Sequence, residues 1–198
     1  MKIYDISQEL LTSKVFPGDP EPRKNTLMLI SDGAVCNLSA IEMCAHNGTH
    51  IDAPYHFIDN GLHINELSLD KLIGYAIIVE HTGDVTEDDA IKIINKAKSV
   101  QGKNVNKFLI KGNATVTLEA AKTFADAKID LIGNESQTVG PEDAPMQVHL
   151  ALLSKDVILL EGIRLENVPE GVYLLNAAPI NIKDGDGSPC RAILIELE

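Results

Sequence analysis

The stretch His46-Asn47-Gly48-Thr49-His50-Ile51-Asp52-Ala53-Pro54-Tyr55-His56-Phe57 holds three of the chain's six histidines together with an aspartate. Neutral imidazole and carboxylate are natural ligands of zinc, and they also suit manganese and iron. His46 and His50, four residues apart, would share a face if the stretch were helical, as in zinc proteases. Gly48, the β-branched Thr49 and Ile51, and Pro54 oppose a helix, so the stretch reads as a loop or strand end. In extended chain, residues 50 and 52 point to the same side, and a turn at Gly48 swings His46 round to meet them. Two imidazoles and one carboxylate then surround one point. Three protein ligands leave a coordination position for water, the arrangement of a catalytic rather than a structural metal. Water held there loses a proton near neutral pH, and His56, close in sequence and not needed as a ligand, is the candidate base. The competing reading is a solvated polar loop, of the kind any surface carries.

Two further candidates lie downstream. In a helix beginning near Pro145, Met146, His149, Leu150 and Leu153 fall at i, i+3, i+4 and i+7, which puts His149 on the apolar face. Glu161 closes the apolar run 156–161, where a carboxylate is costly unless paired or coordinated. Taken singly, His149 reads as a core histidine with one hydrogen-bond partner and Glu161 as a strand end reaching solvent. Taken together they form a second histidine–carboxylate pair, and Asp52, with two oxygens, is able to bridge two metals. The segment Asp184-Gly185-Asp186-Gly187-Ser188-Pro189 fails as a calcium loop. Its sixth position is Pro189 and its twelfth Ile195, so it reads as a tight turn before the last strand. His63 and His81 show no partners.

These groups need elements to hold them. Residues 2–10 alternate apolar and polar, as a strand does, and residues 16–22, with three prolines and a glycine, form a loop. Residues 25–33 and 37–45 read as two strands turning near Asp32-Gly33, the second delivering the chain directly to His46. A short helix is expected over 67–73 and a buried strand over 75–80. Thr86 caps a helix running to about Ala97, with Asp89 completing a capping box. Strand 107–112, a helix from Thr117 to about Ala127, strand 129–133 and a helix from Pro145 to about Ser154 follow. Strands at 156–166, 171–176 and 191–198 complete the set. Several strands are continuous apolar runs, which suits a buried sheet. The class is mixed α/β.

The 198 residues suffice for one domain, 1–198, with a sizeable core. The net charge of −12 gives a surface that repels phosphate backbones, which argues against nucleic acid. No apolar run reaches the 18 residues of a membrane span, and Asp5 interrupts any signal-peptide core, so the expected location is the cytoplasm. The N-x-S/T sites at Asn37, Asn47, Asn113 and Asn134 then carry no glycan. Cys36, Cys44 and Cys190 form no CxxC and fit reduced, buried thiols, none in a recognisable nucleophile context.

The segment 46–57 resembles the H-x-G-T-H-x-D-x-P-x-H-F signature of the metal-dependent cyclase family, the family of bacterial kynurenine formamidase (arylformamidase) and isatin hydrolase. Residues 5–7 (DIS), 16–20 (FPGDP), 149–168 (HLALLSKDVILLEGIRLENV) and 185–192 (GDGSPCRA) resemble further elements of that family. The resemblance implies that His46, His50 and Asp52 bind one metal, that Asp52, His149 and Glu161 bind a second, and that His56 is the acid/base group. It implies a swivelling β/β/α fold with a mixed sheet, zinc or alternatively manganese, and homodimers or homotetramers. The implied reaction is hydrolysis of a C–N amide bond in a small molecule, foremost an aryl formamide such as the N-formyl-L-kynurenine of tryptophan catabolism. A related ring amide or lactone is the alternative substrate, and a metal-binding protein without catalysis is the alternative class. Two positions depart from the pattern. Phe16 stands where formamidase members often carry a tryptophan that packs on substrate. Residues 133–136 (GNES) differ from G-x-D-x-x-S, leaving open whether Glu135 or Ser136 contributes.

Overall fold

The structure is a computed structural model describing residues 1–197. In chain order its first elements are β1 (Lys2–Asp5), β2 (Arg23–Met28), β3 (Leu38–Glu42), β4 (His50–Asp52), β5 (Ile73–Glu80), β6 (Gly83–Val85) and α1 (Glu87–Lys98). There follow β7 (Val105–Lys111), β8 (Ala114–Val116), α2 (Leu118–Asp126), β9 (Leu131–Asn134) and α3 (Met146–Leu153). The last are β10 (Ile158–Glu161), β11 (Gly171–Asn176), β12 (Gly187–Pro189) and β13 (Ile193–Glu196).

Nine strands form one mixed sheet in the order β1-β13-β11-β5-β7-β9-β10-β4-β12. Its centre, β5-β7-β9-β10, is parallel, and each crossover carries a helix, α1, α2 and α3 in turn. Both flanks are antiparallel. The central strands read as continuous apolar runs because both of their faces are covered. Ile77, Val79, Phe108, Ile110 and Leu159 pack beneath the helices, and Ala76, Ile78, Leu109, Ile158 and Leu160 fill a second core on the opposite face.

The helix ends follow their capping residues. Thr86 Oγ1 accepts from Asp89 N at 3.3 Å while Asp89 Oδ2 accepts from Thr86 N at 3.2 Å, and Thr117 Oγ1 accepts from Ala120 N at 3.2 Å. α3 ends at Leu153 with Ser154 as its cap residue, as expected.

Several strand expectations are corrected. β1 stops at Asp5, because Ile6 leaves the strand to enter the core and the chain then makes a short turn at Leu10–Thr12. β3 stops at Glu42, so a turn in which Asn47 Oδ1 accepts from Cys44 N at 3.0 Å separates it from the histidines. The short helix expected over 67–73 is present only as one 3-10 turn, Leu69–Lys71. Pairing of Ile73 with Asn176 draws the chain into β5. The strand expected over 156–166 ends at Glu161, where Gly162 turns the chain with φ of 68°. The last strand covers Ile193–Glu196, and Glu198 lies outside the described residues. No helix among the described residues is long and apolar enough to cross a membrane.

Candidate metal centre

The short strand β4 lies between β10 and β12, and its register sets the site. His50 faces Glu161 and Pro189 across the two ladders, and Asp52 faces Leu159 and Gly187. Alternation puts His50 and Asp52 on one face and sends Ile51 into the core on the other. The turn before β4 is pinned from three sides: Thr49 Oγ1 donates to Gly162 O at 2.7 Å, Gln8 N donates to Thr49 Oγ1 at 2.9 Å, and Gln137 Nε2 donates to Gly48 O at 3.1 Å. Gly48 has φ of 68°, a conformation that favours glycine, and it returns His46 toward β4.

His50 and His149 are both buried, and both give Nδ1–H to a backbone carbonyl. His50 donates to Gly48 O at 3.1 Å and His149 to Pro145 O at 2.9 Å. Each Nε2 therefore presents its lone pair to the site. His50 Nε2 lies 3.3 Å from Asp52 Oδ1 and 3.5 Å from Glu161 Oε2. His149 Nε2 lies 3.4 Å from Asp52 Oδ2 and 3.3 Å from Glu161 Oε1. Glu161 is held from behind by Val139 N at 2.7 Å. His46 Nδ1 is 2.8 Å from Asp52 Oδ1. Ligand atoms of His46, His50 and Asp52 all fall within 4.8 Å of one another, as do those of Asp52, His149 and Glu161.

Imidazole lone pairs aimed at carboxylate oxygens require a positive charge between them, either protons or a cation. The electrostatics agree. Burial disfavours each imidazolium, but the charge of Asp52 and hydrogen bonds to Asp186 and Asp52 outweigh it at His46, pushing its pKa up to about 11. At His50 and His149 burial is likewise outweighed by Asp52 and Glu161, giving about 9 and about 10. Asp52 is held well below the usual carboxylate range by His46, His149 and His50, against its burial. Asp52 Oδ2 is buried and makes no hydrogen bond. A buried carboxylate oxygen without a donor, facing a preset Nε2, fits a divalent cation by its chemistry.

Above these groups opens a cavity of about 210 Å³. Phe16, Phe57 and Pro145 supply its apolar wall; Asp19, Gln137 and Thr138 supply polar atoms. Thr138 Oγ1 is buried with no protein partner. His56, at the end of the turn Pro54–His56, stacks on His46 with ring centroids 3.9 Å apart and reaches the same cavity.

All seven side chains singled out in the sequence therefore gather here: His46, His50, Asp52, His149 and Glu161 as one cluster, with His56 and Phe16 in the cavity wall. Glu135 and Ser136 do not line the cavity. The Glu135 carboxylate accepts from Gly112 N at 2.6 Å and Leu165 N at 2.8 Å, and Ser136 O accepts from Gly162 N at 2.6 Å. The residues directly after that segment, Gln137 and Thr138, do face the cavity, and sequence reasoning missed them.

Asp186 was missed as well. Its Oδ2 lies 2.8 Å from His46 Nε2, although the segment 184–189 reads as a plain turn. The available signal was the resemblance of residues 185–192 to a family element. His63 and His81 do have partners: Glu66 Oε2 accepts at 2.9 Å from His63 Nδ1 and Asp84 O at 3.0 Å from His81 Nε2. Cys36 is exposed rather than buried. Cys44 and Cys190 are half-buried, and desolvation pushes the Cys190 thiol up to about 12, which leaves it inert.

Residues 4–141 match the model of the family described as "Putative cyclase". The chain is 34% identical to a kynurenine formamidase of Erythrobacter litoralis over 204 residues, covering 99% of this chain and 94% of the relative. Among solved structures it is similar to a potential metal-dependent hydrolase with cyclase activity, with a TM-score of 0.81 and 27% identity, covering 100% of this chain and 98% of the other. It also shares its fold with an isatin hydrolase bound to the product analogue thioisatinate, with a TM-score of 0.84 at 20% identity, covering 100% and 93% of the two chains.

Proposed function

Since the chain belongs to the cyclase family, we propose that it is a metal-dependent amidohydrolase that cleaves the C–N bond of an aryl formamide, with N-formyl-L-kynurenine the foremost substrate. One observation carries the proposal. Asp52 Oδ2 is buried without a hydrogen-bond donor, beside imidazoles whose Nδ1–H groups are already committed to backbone carbonyls. His46, His50 and Asp52 hold one divalent ion in this reading, and Asp52, His149 and Glu161 a second. Zinc is the first choice and manganese the alternative, since both accept imidazole and carboxylate. A divalent ion there supplies an acidic water near neutral pH and a Lewis acid for the carbonyl.

The chain's own groups do the rest. His56 takes the proton of the attacking water and gives it to the leaving nitrogen through Nε2, the ring nitrogen not turned toward Asp186. Phe16 and Phe57 pack on the aryl ring, and the partnerless Thr138 hydroxyl hydrogen-bonds the substrate. Self-association as dimers or tetramers belongs to the same reading. It is supported by exposed Leu27, Leu38 and Ile41 on the two-stranded β2–β3 ribbon.

A second reading keeps this chemistry and changes the substrate to a ring amide or lactone. Phe16, in the place of a tryptophan, favours it. Assay of the zinc- or manganese-loaded protein against N-formyl-L-kynurenine, simpler aryl formamides, lactams and lactones separates the two. Turnover of aryl formamides is expected, and its absence, with lactam or lactone cleavage present, transfers the assignment to the second reading.

A further inference from the structure

We infer that Asp186 is a positioning residue, fixing the ring of His46 for the metal and the ring of His56 for proton transfer. The inference rests on the metal-site reading above. His46 has carboxylates on both sides, with Nδ1 2.8 Å from Asp52 Oδ1 and Nε2 2.8 Å from Asp186 Oδ2. An imidazole that ligates a cation through one nitrogen must carry its proton on the other, and a carboxylate facing that other nitrogen selects the tautomer. Asp186 therefore assigns the proton to Nε2 and turns the Nδ1 lone pair toward Asp52.

The same oxygen, Asp186 Oδ2, lies 3.6 Å from His56 Nδ1. The His46 and His56 rings stack at 3.9 Å with an interplanar angle of 27°. One carboxylate thus spans the edges of two stacked rings, one belonging to a proposed ligand and the other to the proposed base. Neighbouring backbone fixes the main chain that carries this carboxylate. Ala53 N donates to Asp186 O at 2.9 Å, and Gly187 pairs with Asp52 in the β12–β4 ladder. Gly187 also leaves room for the ring, since a Cβ there would lie 2.6 Å from His46 Cε1. Nothing but glycine at 187 lets His46 lie between the two carboxylates.

The experiment compares wild type, Asp186→Asn and Asp186→Ala. Zinc affinity and stoichiometry are measured by competition with a chromophoric chelator, and kcat and KM for an aryl formamide are measured at saturating zinc. Thermal melts of the metal-free proteins check folding. Asp186→Ala is expected to weaken one zinc by about 10- to 100-fold, the usual effect of losing an outer-shell partner. Asp186→Asn, which keeps an acceptor oxygen but not the charge, should fall between it and wild type, and it carries the test if the alanine variant does not fold. At saturating zinc both variants should lose kcat with KM within about twofold, because the base is misaligned while the substrate pocket is intact. If wild type binds zinc while both variants match its affinity and kcat within about threefold, the inference is overturned and the metal-site reading stands. If wild type binds neither zinc nor manganese, both fall together.

Discussion

His50 and His56 sit six residues apart and are expected to fail differently when replaced. His50 is buried with its Nδ1–H committed to Gly48 O, so His50→Ala should abolish zinc binding as seen by chelator competition. It should also abolish the gain in stability that zinc gives wild type, about 2.7 kcal/mol at a free zinc concentration of 100 times Kd. His56→Ala should keep the zinc and lose about 10²- to 10⁴-fold in kcat, the usual contribution of a general acid–base group. A His56→Ala protein with unchanged function would favour a metal-binding protein without catalysis. The imidazoles also set a pH signature. In metal-free protein His50, His149 and His46 bind protons more tightly than the ordinary value of 6.5, at about 9, 10 and 11. Their contribution to stability is complete below pH 6.5 and is lost as pH rises through those values. With zinc the order reverses, since the ion displaces those protons and binds more tightly as pH rises from 5 to 8. Melts across pH with chelator and with zinc should therefore diverge as pH rises; parallel curves would contradict this. At this scale the motif 46–57 was legible because its candidate ligands lie close together in the sequence. His149 and Glu161 were legible only as groups too polar for their apolar surroundings. Asp186 was not, since nothing in a Gly-Asp-Gly turn tells which ring it will face.

Elements bring these groups together through backbone register. β4 and β12 are three residues each, too short to show a periodicity; β4 exists because β10 offers an edge to pair with, and β12 because β4 offers the next. The helices were readable from Thr86 and Thr117 as caps, and the central strands from their apolar runs. The helix expected over 67–73 is cut to the single 3-10 turn Leu69–Lys71 because pairing with a distant strand, β11, outweighed a local preference. Gly162, directly after Glu161, is the position where an element and the site share one constraint. Its φ is 68°, and a Cβ there would lie 2.5 Å from Gln137 Oε1, Gln8 Nε2 and Gly48 O. Gly162→Ala should destabilise the fold by at least ~1–3 kcal/mol in urea unfolding, the range for a strained non-glycine residue. It should weaken zinc binding as well, because Glu161 and the His46–His50 turn move together. By contrast, Thr86→Ala should cost about 1 kcal/mol and leave zinc affinity unchanged. Equal effects of the two substitutions on zinc would sever the link between Gly162 and the site.

At the scale of the whole molecule, mixed α/β class and a doubly covered sheet were legible in the sequence, but strand order was not. The β2–β3 ribbon lies outside the nine-stranded sheet with almost every residue exposed. A two-stranded ribbon without a covered face is marginal in water, so burial against another copy is the expected remedy. Light scattering coupled to size exclusion should return a mass at least twice the 21.5 kDa of one chain, and Leu27→Asp with Ile41→Asp should lower it. A wild type that runs as a monomer would remove self-association from the proposal. The claim beneath all of these is that the buried histidines and carboxylates of β4, α3 and β10 close on divalent cations. Anomalous diffraction at the zinc and manganese edges, from crystals grown with each ion, tests it most directly. Peaks are expected between His46, His50 and Asp52 and between Asp52, His149 and Glu161; zinc- and manganese-soaked crystals with no peak in either place would contradict the account.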